Sequence, residues 1–132
     1  MDAVFADTFF FLALLDAGDE AHHRARQFSD SLRPLVTTAW VLTEVGDAMS
    51  APANRPAFLQ LLETLENSPD ARISGPTPEL FERGVELFRD RPDKEWSLTD
   101  CISFESMREA GLTEALTGDR HFEQAGFRAL LR

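Results

Sequence analysis

Four acidic residues, Asp7, Glu44, Asp100 and Asp119, could do chemistry if the fold brought them together. Asp7 raises the question first. It lies in FADTFFFLALLD, among phenylalanines and leucines, with no basic residue in the stretch. A charge there is costly to bury unless something pairs with it. Carboxylates crowded into one cleft repel as anions, so sharing the space requires proton uptake or a cation. A hard divalent ion with oxygen ligands meets that need. Mg²⁺ or Mn²⁺ suits carboxylates that leave several waters in place.

Each acid also has a local explanation. Asp7 could cap a helix beginning at Thr8. Asp100 completes SLTD, a capping-box pattern opening at Ser97. Asp119 follows a glycine in a turn, where aspartate is common. Glu44 could be a solvated helix residue, but its spacing from Val41, Val45 and Ala48 sets it on the edge of an apolar face. Asp100 likewise leads onto the face that carries Phe104 and Met107.

The elements that would position these acids alternate between short apolar strands and longer amphipathic helices. AVFAD reads as a buried strand ending at Asp7, and TFFFLALLDAG as a helix closing at Gly18. DEAHHRARQFSDSL is a second helix. A strand at Leu35 to Thr37 is followed by a helix from about Trp40 that carries Glu44. RPAFLQLLETLENS turns Phe58, Leu61, Leu62 and Leu65 to one side, and ARIS is another short strand. TPELFERGVELFRDR is a helix capped by Thr77, with Leu80, Phe81, Val85 and Phe88 facing inward. WSLTDCISFESMREAG is the next helix, closed by Gly111. EALTGD is a strand ending in a turn, and FRALL a last edge strand. The alternation predicts an α/β fold with a mainly parallel sheet. Sites in such sheets form outside the carboxyl ends of the strands, where Asp7 and Asp119 stand.

The chain has 132 residues, 43% of them hydrophobic, which suits one compact domain. A net charge of -10 argues against a general nucleic-acid coating protein. The single cysteine, Cys101, permits no internal disulfide and is read as a small core thiol. The N-terminus has no basic region of the signal-peptide kind, and the apolar run from Phe9 to Leu15 falls short of the about 20 residues a membrane helix needs. A cytoplasmic protein with no membrane association is expected. No Gly-rich phosphate loop, Cys/His zinc spacing or G-x-S-x-G elbow is present.

Taken in order, FADTFFFLALLD, VLTEV, SLTDCISF and ALTGDRHFEQAGF resemble the PIN-domain ribonucleases, and within them the VapC-like toxins of bacterial toxin–antitoxin pairs. The likeness runs from Asp7 to Phe127. It implies a single domain over residues 1–132, a PIN-like three-layer α/β/α fold, and a central sheet of four or five short strands. It carries Asp7, Glu44, Asp100 and Asp119 over as the acidic quartet, both catalytic and metal-binding. Thr8 matches a polar residue beside the first aspartate. Asp93 matches an extra acidic position before the third motif, or is an ordinary loop aspartate. Thr99 and Ser103 are candidates for hydrogen bonds behind the ligands, although capping explains Thr99 as well.

The implied reaction is metal-dependent hydrolysis of an RNA phosphodiester. In it Mg²⁺ or Mn²⁺ binds a phosphate oxygen, lowers the pKa of an attacking water and stabilises the leaving 3′-oxygen. Asp7, Asp100 and Asp119 would be the main ligands, with Glu44 acting through water or orienting the nucleophile. The scheme needs no histidine. His22 and His23 are read as solvent-facing, and His121 as a candidate phosphate contact beside Asp119. RNA contacts on so acidic a chain must be local, with Arg24, Arg26, Arg89, Arg91, Lys94 and Arg120 as candidates. The resemblance also implies a cognate antitoxin. The many phenylalanines could line an antitoxin groove or a homodimer face. Three rivals stay open: a phosphoacceptor receiver domain, a non-catalytic PIN-fold binding module, and a stand-alone PIN nuclease acting on RNA or DNA. The receiver is disfavoured because the only lysine, Lys94, precedes a helix rather than following a late strand.

Overall fold

A computed structural model describes residues 2–132. Five strands form one sheet: β1 (Val4–Ala6), β2 (Leu35–Thr38), β3 (Ala71–Ser74), β4 (Glu114–Leu116) and β5 (Arg128–Ala129). Their spatial order is β3-β2-β1-β4-β5, and every pairing is parallel, a stricter outcome than the mainly parallel sheet expected. Seven helices connect and flank them: α1 (Thr8–Leu15), α2 (His22–Ser29), α3 (Ala39–Ala48), α4 (Arg55–Asn67), α5 (Pro78–Asp90), α6 (Leu98–Ala110) and α7 (Arg120–Gln124). All three residues of β1 are buried. Successive strand side chains point to opposite faces, so both faces of the sheet are covered and the architecture has three layers.

The core explains where the helices sit. Phe5 of β1, Phe10 and Phe11 of α1, Phe104 of α6 and Phe122 of α7 are all fully enclosed. Phe104 is the hub near the site. It meets Trp96 edge-on at 5.0 Å and Phe122 edge-on at 4.9 Å. Trp96 also donates its indole N–H to Gln124 Oε1 at 3.0 Å, which ties the approach to α6 to the end of α7. The helix boundaries follow capping chemistry. Thr77 caps α5 and Ser97 caps α6, and Gly111 ends α6 at φ 69°. The expected closure of α1 at Gly18 is corrected: the helix ends at Leu15, and Asp16 Oδ1 accepts the Gly18 N–H in a local turn.

The face assigned to α5 is also corrected. Leu80 is buried, but Phe81 and Phe88 are 41% and 51% exposed. Gly84 is the reason. A Cβ there would lie 2.3 Å from Ile102 Cγ1, so α5 presses its bare backbone against α6 along the Leu80 and Gly84 line. That contact rotates the phenylalanines outward, where Phe81 stacks on Trp40 at 6.4 Å.

Ser103 lies in the core stretch of α6, fully buried, and its hydroxyl has no hydrogen-bond partner among the described residues. An unsatisfied buried hydroxyl costs about 1–3 kcal/mol. Ser103→Ala should therefore unfold at equal or higher denaturant, with a gain of up to about 1 kcal/mol in a urea titration. A clear loss would show that the hydroxyl has a partner.

Candidate active site at the carboxyl edge of the sheet

The strand order reverses direction between β1 and β4. Open parallel sheets bind ligands at that switch point, outside the carboxyl ends of the strands. Asp7 leaves β1 there, and Thr117 and Asp119 leave β4 there.

Asp7 occupies the N-cap position of α1 but makes no capping hydrogen bond. Its Oδ2 instead accepts from Thr117 Oγ1 at 2.9 Å. The side chain is thus turned along the sheet edge, and the capping explanation of its presence fails. Burial pushes its carboxyl up to a pKa of about 7. The Thr117 hydrogen bond and the Thr8 backbone N–H oppose that rise, while the charges of Asp100 and Glu44 add to it.

Glu44 reaches the same place from α3, whose start is fixed by Thr38 Oγ1 accepting the Val41 N–H at 3.1 Å. Thr8 Oγ1 donates to Glu44 Oε1. Asp100 arrives from the first turn of α6, and here both explanations hold. The capping box is complete, with Ser97 Oγ accepting the Asp100 N–H at 3.0 Å and Asp100 Oδ2 accepting the Ser97 N–H at 3.2 Å. The same Oδ2 lies 3.1 Å from His121 Nδ1, and burial raises the Asp100 pKa against the pull of that histidine and of Ser97. Asp119 caps α7, its Oδ1 accepting the His121 N–H at 2.9 Å.

Four carboxylates from four segments therefore lie near one carboxyl edge of the sheet: Asp7 feels the charges of Asp100 and Glu44, and Asp100 that of Asp119. Among the described residues no lysine or arginine forms an ion pair with any of them. The one basic group at hand is the His121 ring, and Asp100, Asp119 and His121 each place a donor atom within 4.8 Å of the others. An oxygen-rich set this poorly compensated fits a hard divalent cation.

Residues 4–128 match the PIN domain family. The chain belongs to the PIN-domain family. The 23S rRNA-specific endonuclease VapC20 of Mycobacterium tuberculosis is 31% identical over 125 residues, covering 94% of this chain and 95% of the relative. The crystal structure of Mycobacterium tuberculosis VapC20, a Sarcin-Ricin loop cleaving toxin, aligns with a TM-score of 0.84 and 30% identity, over 94% of this chain and 95% of that one. FitAcB from Neisseria gonorrhoeae aligns at a TM-score of 0.62 and 18% identity, over 96% and 94%, and shares the fold.

Within this PIN domain the other expected residues separate. Thr8 supports Glu44, as described. Asp93 is 57% exposed, binds Arg91 through both oxygens at 2.9 and 3.0 Å, and that guanidinium holds its carboxyl down to a pKa of about 2. The Thr99 hydroxyl holds none of the four carboxylates, and Ser103 has no hydrogen bond to offer. His22 is half-buried rather than free in solvent, its Nδ1 meeting the Ala13 carbonyl at 2.8 Å. Cys101 is buried, and its thiol is pushed up to a pKa of about 11 by that burial. No helix among the described residues is long and apolar enough to cross a membrane.

Sequence reasoning missed Thr117 and gave His121 only a phosphate contact, whereas its ring lies against Asp100 and Asp119. Thr117 anchors Asp7 and also accepts the Asp119 N–H at 3.1 Å, so one hydroxyl braces both strand ends. Its signal was a threonine two residues before an aspartate, the spacing of a side-chain turn. Thr117→Val should lower stability by about 1–2 kcal/mol in thermal unfolding. It should also weaken Mn²⁺ binding by about tenfold in calorimetry, as loss of a residue that orients a ligand does. Unchanged affinity would show that Asp7 needs no brace.

Proposed function

We propose that this PIN domain is a Mg²⁺- or Mn²⁺-dependent endoribonuclease and the toxin of a toxin–antitoxin pair. The observation that supports the reading most is the meeting of Asp7, Glu44, Asp100 and Asp119 at the β1–β4 switch point, with the Asp7 pKa raised to about 7. Asp7, Asp100 and Asp119 would hold the ion, directly or through water. The ion, when bound, supplies charge neutralisation at phosphate and an acidified water. Glu44, steadied by Thr8, orients the nucleophilic water by accepting its hydrogen bond. Thr117 keeps the Asp7 oxygens facing the cleft. Arg120, exposed and adjacent in sequence to Asp119, forms no ion pair among the described residues and would be available to an RNA phosphate. Arg91 is engaged by Asp93, and Arg24 by the carbonyl of Leu130 at 2.6 Å.

Since VapC20 is a 23S rRNA-specific endonuclease, a structured ribosomal RNA loop is the first substrate to test. An apolar groove of about 440 Å³ between α1, α2 and α4, lined by Phe10, Phe11, Leu14, Phe28 and Leu61, supports an antitoxin segment as partner. The net charge of -10 favours a basic one. Exposed Phe81 and Phe88 support a homodimer face. The reading takes residues 1–132 as one domain acting in the cytoplasm, without membrane association.

The test is cleavage of ribosomal and other structured RNAs with Mn²⁺ or Mg²⁺, mapped by primer extension, with EDTA as control. A discrete metal-dependent cut is expected. Intact RNA with either metal would refute the reading.

A further inference from the structure

We propose that His121 Nδ1 is a metal ligand of this centre, so that the site is a mixed carboxylate–imidazole one that selects Mn²⁺ over Mg²⁺. The inference rests on the metal site just proposed and adds a ligand to it. Nδ1 lies 3.1 Å from Asp100 Oδ2 and 3.5 Å from Asp119 Oδ1. Neighbouring ligands on an ion with bonds of about 2.1 Å stand about 3.0 Å apart. Both spacings to the ring are therefore close to those of a coordination shell, and the donor atoms of Asp100 and Asp119 lie within 4.8 Å of one another.

The ring is held for the task. Asp119 Oδ1 fixes the His121 backbone N–H at 2.9 Å, and the next residue, Phe122, is fully buried against Phe104. Only 20% of the His121 side chain is exposed, and among the described residues no group besides Asp100 and Asp119 lies against its ring nitrogens. Asp100 Oδ1 has no protein hydrogen bond, so that carboxylate can serve an ion without leaving its helix cap. Imidazole nitrogen suits Mn²⁺ and later divalent ions better than Mg²⁺, which keeps its waters and prefers oxygen. The competing role is a counter-ion: a protonated ring that occupies the cation position and must leave before metal enters. The two roles predict opposite effects of removing the ring.

The experiment uses the full chain loaded with Mn²⁺ and reads pulsed electron paramagnetic resonance for ¹⁴N modulation, with calorimetry for affinity. Wild type should show directly bound nitrogen. His121→Ala should lose that signal and bind Mn²⁺ about tenfold more weakly, with Mg²⁺ affinity little changed. Circular dichroism checks that the variant folds, and the wild-type spectrum stands without it. Mn²⁺ bound with no nitrogen coupling, or bound more tightly by His121→Ala, overturns the ligand role and leaves the carboxylate site standing. No Mn²⁺ binding by wild type overturns both.

Discussion

Asp7→Asn leaves a folded protein whose RNA cleavage falls by about 10³-fold or more, equivalent to roughly 4 kcal/mol in the barrier. Asparagine matches aspartate in shape, and its amide oxygen can still accept from Thr117 Oγ1, which sits 2.9 Å from Asp7 Oδ2. What disappears is the negative charge, and with it the deepest of the four carboxylates. At 6% exposure Asp7 has little water to replace a lost ligand. The variant should keep its circular dichroism spectrum and lose most Mn²⁺ affinity. The measurement is a single-turnover rate on the RNA that wild type cuts, beside a calorimetric titration. A wild-type rate would remove Asp7 from the reaction and sever the link between the cleft and catalysis.

Raising the pH from 4 to 8 should strip the metal-free wild type of up to about 4 kcal/mol of stability. The folded Asp7 carboxyl has its pKa raised by burial to about 7, whereas in the unfolded chain it titrates near the ordinary aspartate value of 3.8. Between those values the native state holds a proton that the unfolded state has released. The contribution is complete below about pH 4 and lost as the pH rises through 7. Asp100, also raised by burial, acts in the same direction. Asp93, whose pKa Arg91 lowers, acts in the opposite one near pH 2 to 4 and from the surface. Melting temperatures at pH 5 and pH 8 in EDTA, for wild type and Asp7→Asn, isolate the Asp7 part. Wild type should melt about 10 °C lower at pH 8, with a much flatter profile in the variant. Millimolar Mg²⁺ or Mn²⁺ at pH 8 should recover much of the loss, because binding to the native state alone stabilises it. A wild-type profile that parallels the variant would mean Asp7 titrates normally and the cleft is wetter than it looks.

The sequence made the frame of the site readable because three of its acids sit on local punctuation. Asp7 and Asp119 end apolar runs that can only be strands of a covered sheet, and Asp100 sits in SLTD, a helix start. Glu44 was readable from periodicity, since its neighbours Val41 and Val45 are both buried. What escaped depended on contacts between distant segments. Phe81 and Phe88 follow helical spacing, yet the close approach at Gly84 turns them out, and no pattern within α5 encodes Ile102. Thr117 reads as a strand-end residue until Asp7 is beside it. His121 reads as a phosphate contact beside Asp119 until α6 brings Asp100 to its ring. Ser103 looked able to support a ligand, but its place inside α6 leaves it without a partner.

The central position of β1 has a consequence for synthesis. Residues 4–6 pair with β2 on one side and with residues 115 and 116 of β4 on the other. Asp7 thus emerges from the ribosome almost first and meets Thr117 and Asp119 almost last. Nothing resembling the finished cleft can exist on a nascent chain that still lacks β4, and pairings between such remote segments form late. A product terminated just before β4 would carry Asp7, Glu44 and Asp100 but lack both Thr117 and Asp119, and so could not assemble the site.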